Sequence, residues 1–223
     1  MKEEVIIYGI GSFAELMNYY FKEDSNYKVC AFTVDKDYIN CDSFINLPLI
    51  DFENINNLYS PSKYKMFIAI GYKNMRNRKL LFDKAKSKGY ELINYISSKS
   101  IIYNNLKVSE NNVIMGNVNI EPFVTIGDNN IIWSDTLIGH NARINSHNYI
   151  SAKCLIAGNC KIEDLCFIGN GVVMINNLKI RNETYIIAGS TLLKSTEEYC
   201  RYIGLPAKIF GSNHKESGII IER

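Results

Sequence analysis

No apolar run in this sequence approaches the roughly 18 residues that a membrane span requires, so no transmembrane segment is expected. Net charge is nearly absent: Lys+Arg 25 against Asp+Glu 23 leaves +2 over 223 residues. No global field therefore attracts nucleic acid or an anionic membrane. The six cysteines contain no C-x-x-C pair. They are too sparse for a disulfide scaffold, and reduced thiols in a cytoplasmic protein are expected. The charged start Met1-Lys2-Glu3-Glu4 runs straight into a strand-like segment, which does not read as a signal peptide. Histidine is scarce, with His140, His147 and His214 alone, so few groups can move protons near neutral pH. What is present is a globular balance, 47% hydrophobic and 22% charged, and a length suited to one large domain or two small ones. A secreted mini-protein, a membrane protein and a histone-like binder are excluded.

The pattern changes near residue 100. Before it, strand and helix alternate. Val5 to Tyr8 is a short apolar run that ends in Gly9-Ile10-Gly11. Ser12 suits an N-cap, and Phe13, Leu16, Met17, Tyr20 and Phe21 follow at helical spacing. Residues 28–34 read as a second strand closing on Asp35, and residues 66–71 as a third. Residues 74–88 read as a basic helix with Leu80, Leu81 and Ala85 on its apolar face and its charges in solvent, ended by Gly89. Residues 91–96 read as a fourth strand. This βαβ order implies a small parallel sheet. Gly9 to Ala14 has the form G-x-G-x-x-A between strand and helix, a turn whose backbone N–H groups can hold a phosphate. Asp35 ends the next strand at the ribose-reading distance, and a tight structural turn remains the alternative. The sheet is too small for a second mononucleotide half, which argues against a nicotinamide role.

After residue 100 an aliphatic residue recurs every six positions: Ile102, Val108, Ile114, Ile120, Ile126, Ile132, Ile138, Ile144, Ile150, Ile156, Ile162, Ile168, Met174, Ile180, Ile186 and Leu192. Neither a helix nor a plain strand has this period, whereas a hexapeptide β-solenoid does. Small or β-branched residues often stand two before the aliphatic one, as at Thr136, Ala142, Cys154, Cys160, Cys166, Thr184 and Ser190. Glycine often stands directly after it, as at Gly127, Gly139 and Gly169, and is read as the turn. Three hexapeptides make one triangular coil of 18 residues. Cys154, Cys160 and Cys166 then start three different walls, which suits core thiols better than converging zinc ligands.

The unbroken hexad array, with Gly204-Leu205-Pro206-Ala207-Lys208 closing it, resembles the left-handed parallel β-helix acyltransferases. The βαβ front, the histidine within the β-helix, Phe67 to Gly71 and Ala157-Gly158-Asn159 resemble a narrower group. This is the bacterial nucleotide-sugar N-acetyltransferases and sialic-acid O-acetyltransferases of surface-glycan synthesis. The resemblance implies an α/β, Rossmann-like nucleotide-sugar-binding domain at 1–100, an all-β left-handed parallel β-helix of hexapeptide repeats at 101–211, and a tail at 212–223. It also implies acetyl-CoA as co-substrate, no metal, a homotrimer and a cytoplasmic enzyme that acetylates the amino group of a nucleotide-linked aminodideoxy sugar. A sugar or sialic-acid O-acetyltransferase and a non-catalytic sugar-nucleotide-binding scaffold are the alternatives. A γ-type carbonic anhydrase shares the β-helix but needs three metal-binding histidines, and only His140 and His147 lie on the repeats.

His140 follows Ile138-Gly139, faces out of the prism, and has Gly158 one coil later, where a glycine leaves room beside the imidazole. The resemblance makes it the catalytic base. The resembling enzymes carry Asp or Glu directly after this histidine, where this chain has Asn141, and a second family histidine falls on Tyr149. His147, in a turn slot, reads as a surface residue. The resemblance further implies that Tyr149, Gly158, Asn170, Ala188, Gly189, Lys194 and Lys208 hold coenzyme A. Gly11, Ser12, Phe13, Asp35, Lys36 and Gly71 would hold the nucleotide sugar.

Overall fold

The computed structural model describes residues 2–221. The chain forms two compact units. One contains the residues up to Gly71 together with Leu80–Tyr95; the other contains Tyr72–Lys79 and the chain from Ile96 onward.

The first unit is a parallel sheet. Its elements run β1 (Glu3–Tyr8), α1 (Ser12–Glu23), β2 (Tyr27–Val34), β3 (Ser43–Phe44), β4 (Leu47–Asp51), α2 (Ile55–Leu58), β5 (Lys65–Ile68) and α3 (Met75–Ser87), and the division between the units falls within α3. The strand order is β3-β4-β2-β1-β5, all parallel except the short edge strand β3. Val5, Ile6 and Ile7 have no solvent exposure. A central parallel strand is covered on both faces, so it reads as a continuous apolar run and not as an alternation. Helix α1 buries Ala14, Met17 and Phe21.

Some expected boundaries shift. Gly11 occupies the N-cap of α1, and Ser12 is already helical without a capping bond. β5 stops at Ile68, and of the expected strand 91–96 only Tyr95–Ile96 is a strand, with Leu92 bridged to Met66. Leu92 and Ile93 fill the core, and residues 91–93 join the sheet only through that single bridge to Met66. β3 has only two residues and carries no period, and β4 is a five-residue strand that contains Pro48, so neither stands out in the sequence.

The second unit is a triangular parallel β-helix. Its first wall stacks the strands that end at Ile102, Ile120, Ile138, Ile156, Met174 and Leu192. The second stacks those ending at Val108, Ile126, Ile144, Ile162 and Ile180, and the third those ending at Ile114, Ile132, Ile150, Ile168 and Ile186. Every pairing joins residues 18 apart, as in Ile120 with Ile138 and Ile138 with Ile156. From Ile114 to Leu192 the aliphatic column is at most 2% exposed, each side chain contributing roughly 1.5–3 kcal/mol of burial. Cys154, Cys160 and Cys166 lie in this core and donate S–H to the Gly169, Ile175 and Arg181 carbonyls of the next coil. Burial pushes Cys154 up to about 11. An antiparallel pair, Cys200–Gly204 with Ala207–Ser212, extends the third wall.

The turns differ from the expectation. From Val108 to Ile186, a left-handed residue stands three positions after each aliphatic one, at Asn111, Asn117, Phe123, Asn129, Asp135, Asn141, His147, Lys153, Asn159, Leu165, Gly171, Asn177, Glu183 and Gly189. Asparagine recurs there because its short polar side chain tolerates positive φ. The glycines directly after the aliphatic position serve another need. A Cβ on Gly139 would lie 2.6 Å from the Gly158 nitrogen, and one on Gly169 would lie 2.5 Å from the Ala188 nitrogen. They let successive coils approach.

Candidate active site

The corner between the first and second walls carries Gly139, His140 and Asn141. His140 is exposed, and Asn141 takes the left-handed position with φ 58°. A Cβ on Gly158 would lie 2.6 Å from His140 Nε2 and 2.7 Å from Cε1. The room that this glycine leaves is therefore filled by the imidazole itself, which rests on the coil above. The Gly158 N–H has no hydrogen-bond partner among the described residues. A ring nitrogen and an uncommitted backbone donor thus stand side by side.

Asn141 Nδ2 lies 3.0 Å from His140 Nδ1. An amide, unlike a carboxylate, can present either end to the ring. With Nδ2 donating, the neutral ring carries its proton on Nε2. With Oδ1 turned inward, Nδ1–H donates and Nε2 is left as the base. Glu121, one coil below, was not singled out from the sequence. Its Oε2 accepts the His140 backbone N–H at 2.7 Å. Counting back 19 residues along the 18-residue coil was the signal that could have found it.

His147 is not a surface residue. It is 7% exposed at the corner between the second and third walls, with Nδ1 3.0 Å from Asn129 Nδ2. Beside it lies Arg78, which has no solvent exposure and corrects the expectation of a fully solvated helix face at 74–88. The Arg78 guanidinium donates to the backbone carbonyls of Asn129, His147 and Asn148 and to Asn129 Oδ1. Burial pulls its pKa down to about 9, and these acceptors keep it charged at neutral pH. Arg76 pairs with Glu183 at 2.8 Å.

The residues expected to hold coenzyme A fall into separate places. Gly158 adjoins His140. Asn170, Ala188 and Gly189 stand at the corner between the third and first walls, where Asn170 Oδ1 accepts the Ala152 N–H at 3.1 Å and the Asn170 carbonyl accepts the Gly189 N–H at 2.8 Å. These two corners flank the first wall, whose outward Leu155 and Val173 are 42% and 36% exposed. Lys194 and Lys208 are exposed, Lys194 just beyond the last strand of the first wall and Lys208 in the terminal strand pair. Tyr149 is not brought to His140. It is buried on the third wall, opposite that corner, stacked on Phe167 at 5.2 Å and packed against Tyr72.

In the first unit the expected nucleotide residues gather at the carboxyl ends of parallel strands. The order of strands reverses between β1 and β5, the place where such sheets open a crevice. A Cβ on Gly9, at φ +132°, would lie 2.8 Å from the Ala69 carbonyl, so only glycine passes between the two strand ends. Gly11, Ser12 and Phe13 begin α1, Gly71 follows β5, and Asp35 and Lys36 follow β2. The Asp35 carboxylate is not bare: Tyr8 donates its hydroxyl to Oδ1, and Lys84 Nζ lies 3.1 Å from Oδ2. Burial, then the bond to Asp35, raises the Tyr8 phenol above its ordinary value. Neither Tyr8 nor Lys84 stood out in the sequence, since each sits within a periodic pattern. No cluster of His, Cys, Asp or Glu among the described residues has the form of a metal site.

Residues 105–140 match the family model described as Bacterial transferase hexapeptide (six repeats). A comparison with curated proteins finds no match. Among solved structures, the chain is similar to a histidine-to-asparagine variant of perosamine N-acetyltransferase from Caulobacter crescentus, in complex with CoA and GDP-perosamine. The TM-score is 0.84 and the identity 23%, over 95% of this chain and 99% of that one. The acetyltransferase domain of PglB from Neisseria gonorrhoeae gives 0.83 and 18%, over 93% of this chain and 100% of that one. WeeI from Acinetobacter baumannii gives 0.78 and 19%, over 93% and 100%. These likenesses show the fold, an N-terminal α/β unit with a left-handed parallel β-helix of hexapeptide repeats.

Proposed function

We propose that this protein is an acetyl-CoA-dependent N-acetyltransferase for the amino group of a nucleotide-linked amino sugar. The observation that carries this reading is the juxtaposition at the first corner, where the His140 imidazole lies against Gly158 beside the uncommitted Gly158 N–H. Acyl transfer needs both parts. The sugar amine attacks the thioester carbon, and its proton passes to His140 Nε2. The carbonyl oxygen gains negative charge, which the Gly158 N–H is placed to accept as a hydrogen bond. Collapse of the tetrahedral intermediate breaks the carbon–sulfur bond, and the departing thiolate takes the proton back from His140. For Nε2 to serve as base, the Asn141 amide turns Oδ1 toward Nδ1.

The carboxyl ends of β1, β2 and β5 suit the nucleotide, with the α1 N-terminus for its phosphates. In this reading Asp35 acts while held by Tyr8 and Lys84, and not as a bare ribose acceptor. The neighbours crystallised with CoA, acetyl-CoA or GDP-perosamine favour these two substrates for this chain. The apolar first wall, flanked by the His140 corner and the Asn170–Gly189 corner, suits packing against a second copy in a homotrimer, with the CoA arm along the seam. The free cysteines agree with a cytoplasmic setting.

The test is direct. The purified protein is mixed with acetyl-CoA and amino sugars linked to UDP, GDP, dTDP or CMP, and products are weighed by mass spectrometry. One sugar nucleotide should gain a single acetyl group as an alkali-stable amide. An alkali-labile ester would establish an O-acetyltransferase instead. Stabilisation by sugar nucleotides without transfer would leave a binding scaffold.

A further inference from the structure

At the corner between the second and third walls a recurring hydrogen bond ties each turn to the coil above, and His140, at the corner between the first and second walls, is held differently. At the former corner the N–H two positions after the aliphatic residue is accepted by the side chain 18 residues later, and one turn at the corner between the third and first walls does the same. Glu110 N–H goes to Asp128 Oδ1, Asp128 N–H to Ser146 Oγ, Ser146 N–H to Asp164 Oδ1, Asp164 N–H to Asn182 Oδ1, and Ala152 N–H to Asn170 Oδ1, at 2.8 to 3.1 Å. Such a side chain ties each turn to the coil above. At His140 the residue 18 later is Gly158, which has no side chain to offer. The His140 N–H is instead accepted from the coil below by Glu121 Oε2 at 2.7 Å. The same substitution occurs once more. Asn182 is held from below as well: Glu163 Oε2, 19 residues earlier, accepts its N–H at 3.2 Å. Glutamate 19 residues earlier is thus a second way to hold this N–H.

The reason that His140 is held from below lies in the space. A side chain at 158 would begin 2.6 Å from Nε2, so a residue able to tie down the turn from above would also expel the imidazole. Glycine lets the ring in and gives up the tie, and Glu121 restores the tie from the other side. We infer that Glu121 is the positioning residue of His140, holding its backbone so that the ring stays seated against Gly158. This rests on the reading of His140 as the base. In this role Glu121 acts through the backbone of the histidine. Displacing a base by an ångström can cost as much as a hundredfold in rate.

The experiment compares Glu121→Ala, Glu121→Gln and Gly158→Asn in the full-length protein. Glu121→Ala should lower kcat about tenfold, with both KM values within about twofold and little change in Tm. Exchange of the His140 amide proton, followed by NMR, should quicken at least about tenfold as its acceptor is lost. Glu121→Gln keeps an acceptor oxygen and should recover most of the turnover and of the amide protection. Gly158→Asn should satisfy the His140 N–H from above and hold Tm, yet lose more activity than Glu121→Ala, because its Cβ takes the ring's place. The inference is overturned if Glu121→Ala leaves kcat within twofold, if the His140 amide exchanges at the wild-type rate, or if Gln fares as badly as Ala. Failure of the base assignment has a different signature: His140→Ala would stay active while the amide-exchange results still held.

Discussion

The two units bury their cores by different means, and their candidate sites arise differently as a result. In the β-helix one aliphatic column repeats every six residues and one left-handed residue repeats with it. Regularity is the stabilising principle, and the proposed base stands where the repeat carries a glycine, in the space that the glycine leaves. In the front sheet, strands are covered on both faces and no position repeats. Its candidate site comes from topology, at the strand ends where the order of strands reverses. A repeat localises chemistry by its exceptions, and a sheet does so by its edges.

Within the β-helix, the sharpest test sets the two histidines against each other. His140→Ala should lower kcat by roughly 10²–10⁴ with both KM values little changed. His147→Ala, at the buried corner, should keep near-normal turnover per folded molecule and lose stability instead. If His140→Ala retains more than about a third of wild-type kcat, general-base catalysis at this corner is wrong, and positioning carries the reaction.

Next in size is Arg78, the one departure from regularity that we read as structural. Arg78→Ala strips the donors from the backbone carbonyls of Asn129, His147 and Asn148 and leaves these acceptors buried. A loss on the order of 3 kcal/mol should follow, read as a lowered denaturation midpoint. An unchanged midpoint would mean that the buried guanidinium contributes nothing net.

The front unit is tested by Asp35→Ala. It should raise KM for the sugar nucleotide about tenfold, roughly the weight of one charged contact, and leave KM for acetyl-CoA nearly unchanged. Equal effects on both substrates would erase the division of labour between the two units.

Smallest is Asn141→Asp. A carboxylate can only accept from Nδ1–H, so Nε2 becomes the free nitrogen in every molecule. Activity should hold or rise by up to about threefold, as expected from removing one of two competing amide orientations. A clear fall would show that the Asn141 amide donates to the ring during turnover.

The sequence by itself determined the β-helix. A burial period of six admits no helix or flat sheet, and the coil length of 18 follows from it, which places Gly158 next to His140. It also determined the order of strand and helix in the front unit, because buried parallel strands and amphipathic helices leave opposite apolar patterns. Only the tertiary structure decided which polar groups meet. Arg78 lies in a run of charge that looks solvated, yet its guanidinium is enclosed by three carbonyls. Asp35 ends a strand as a ribose-reading acid would, yet Tyr8 and Lys84, 27 and 49 residues away, already hold it. Glu121 reaches His140 only because coils stack. Burial patterns are local and periodic, so one strand or one turn records them. Hydrogen bonds between distant side chains depend on where the backbone returns, and no local stretch of sequence encodes that return.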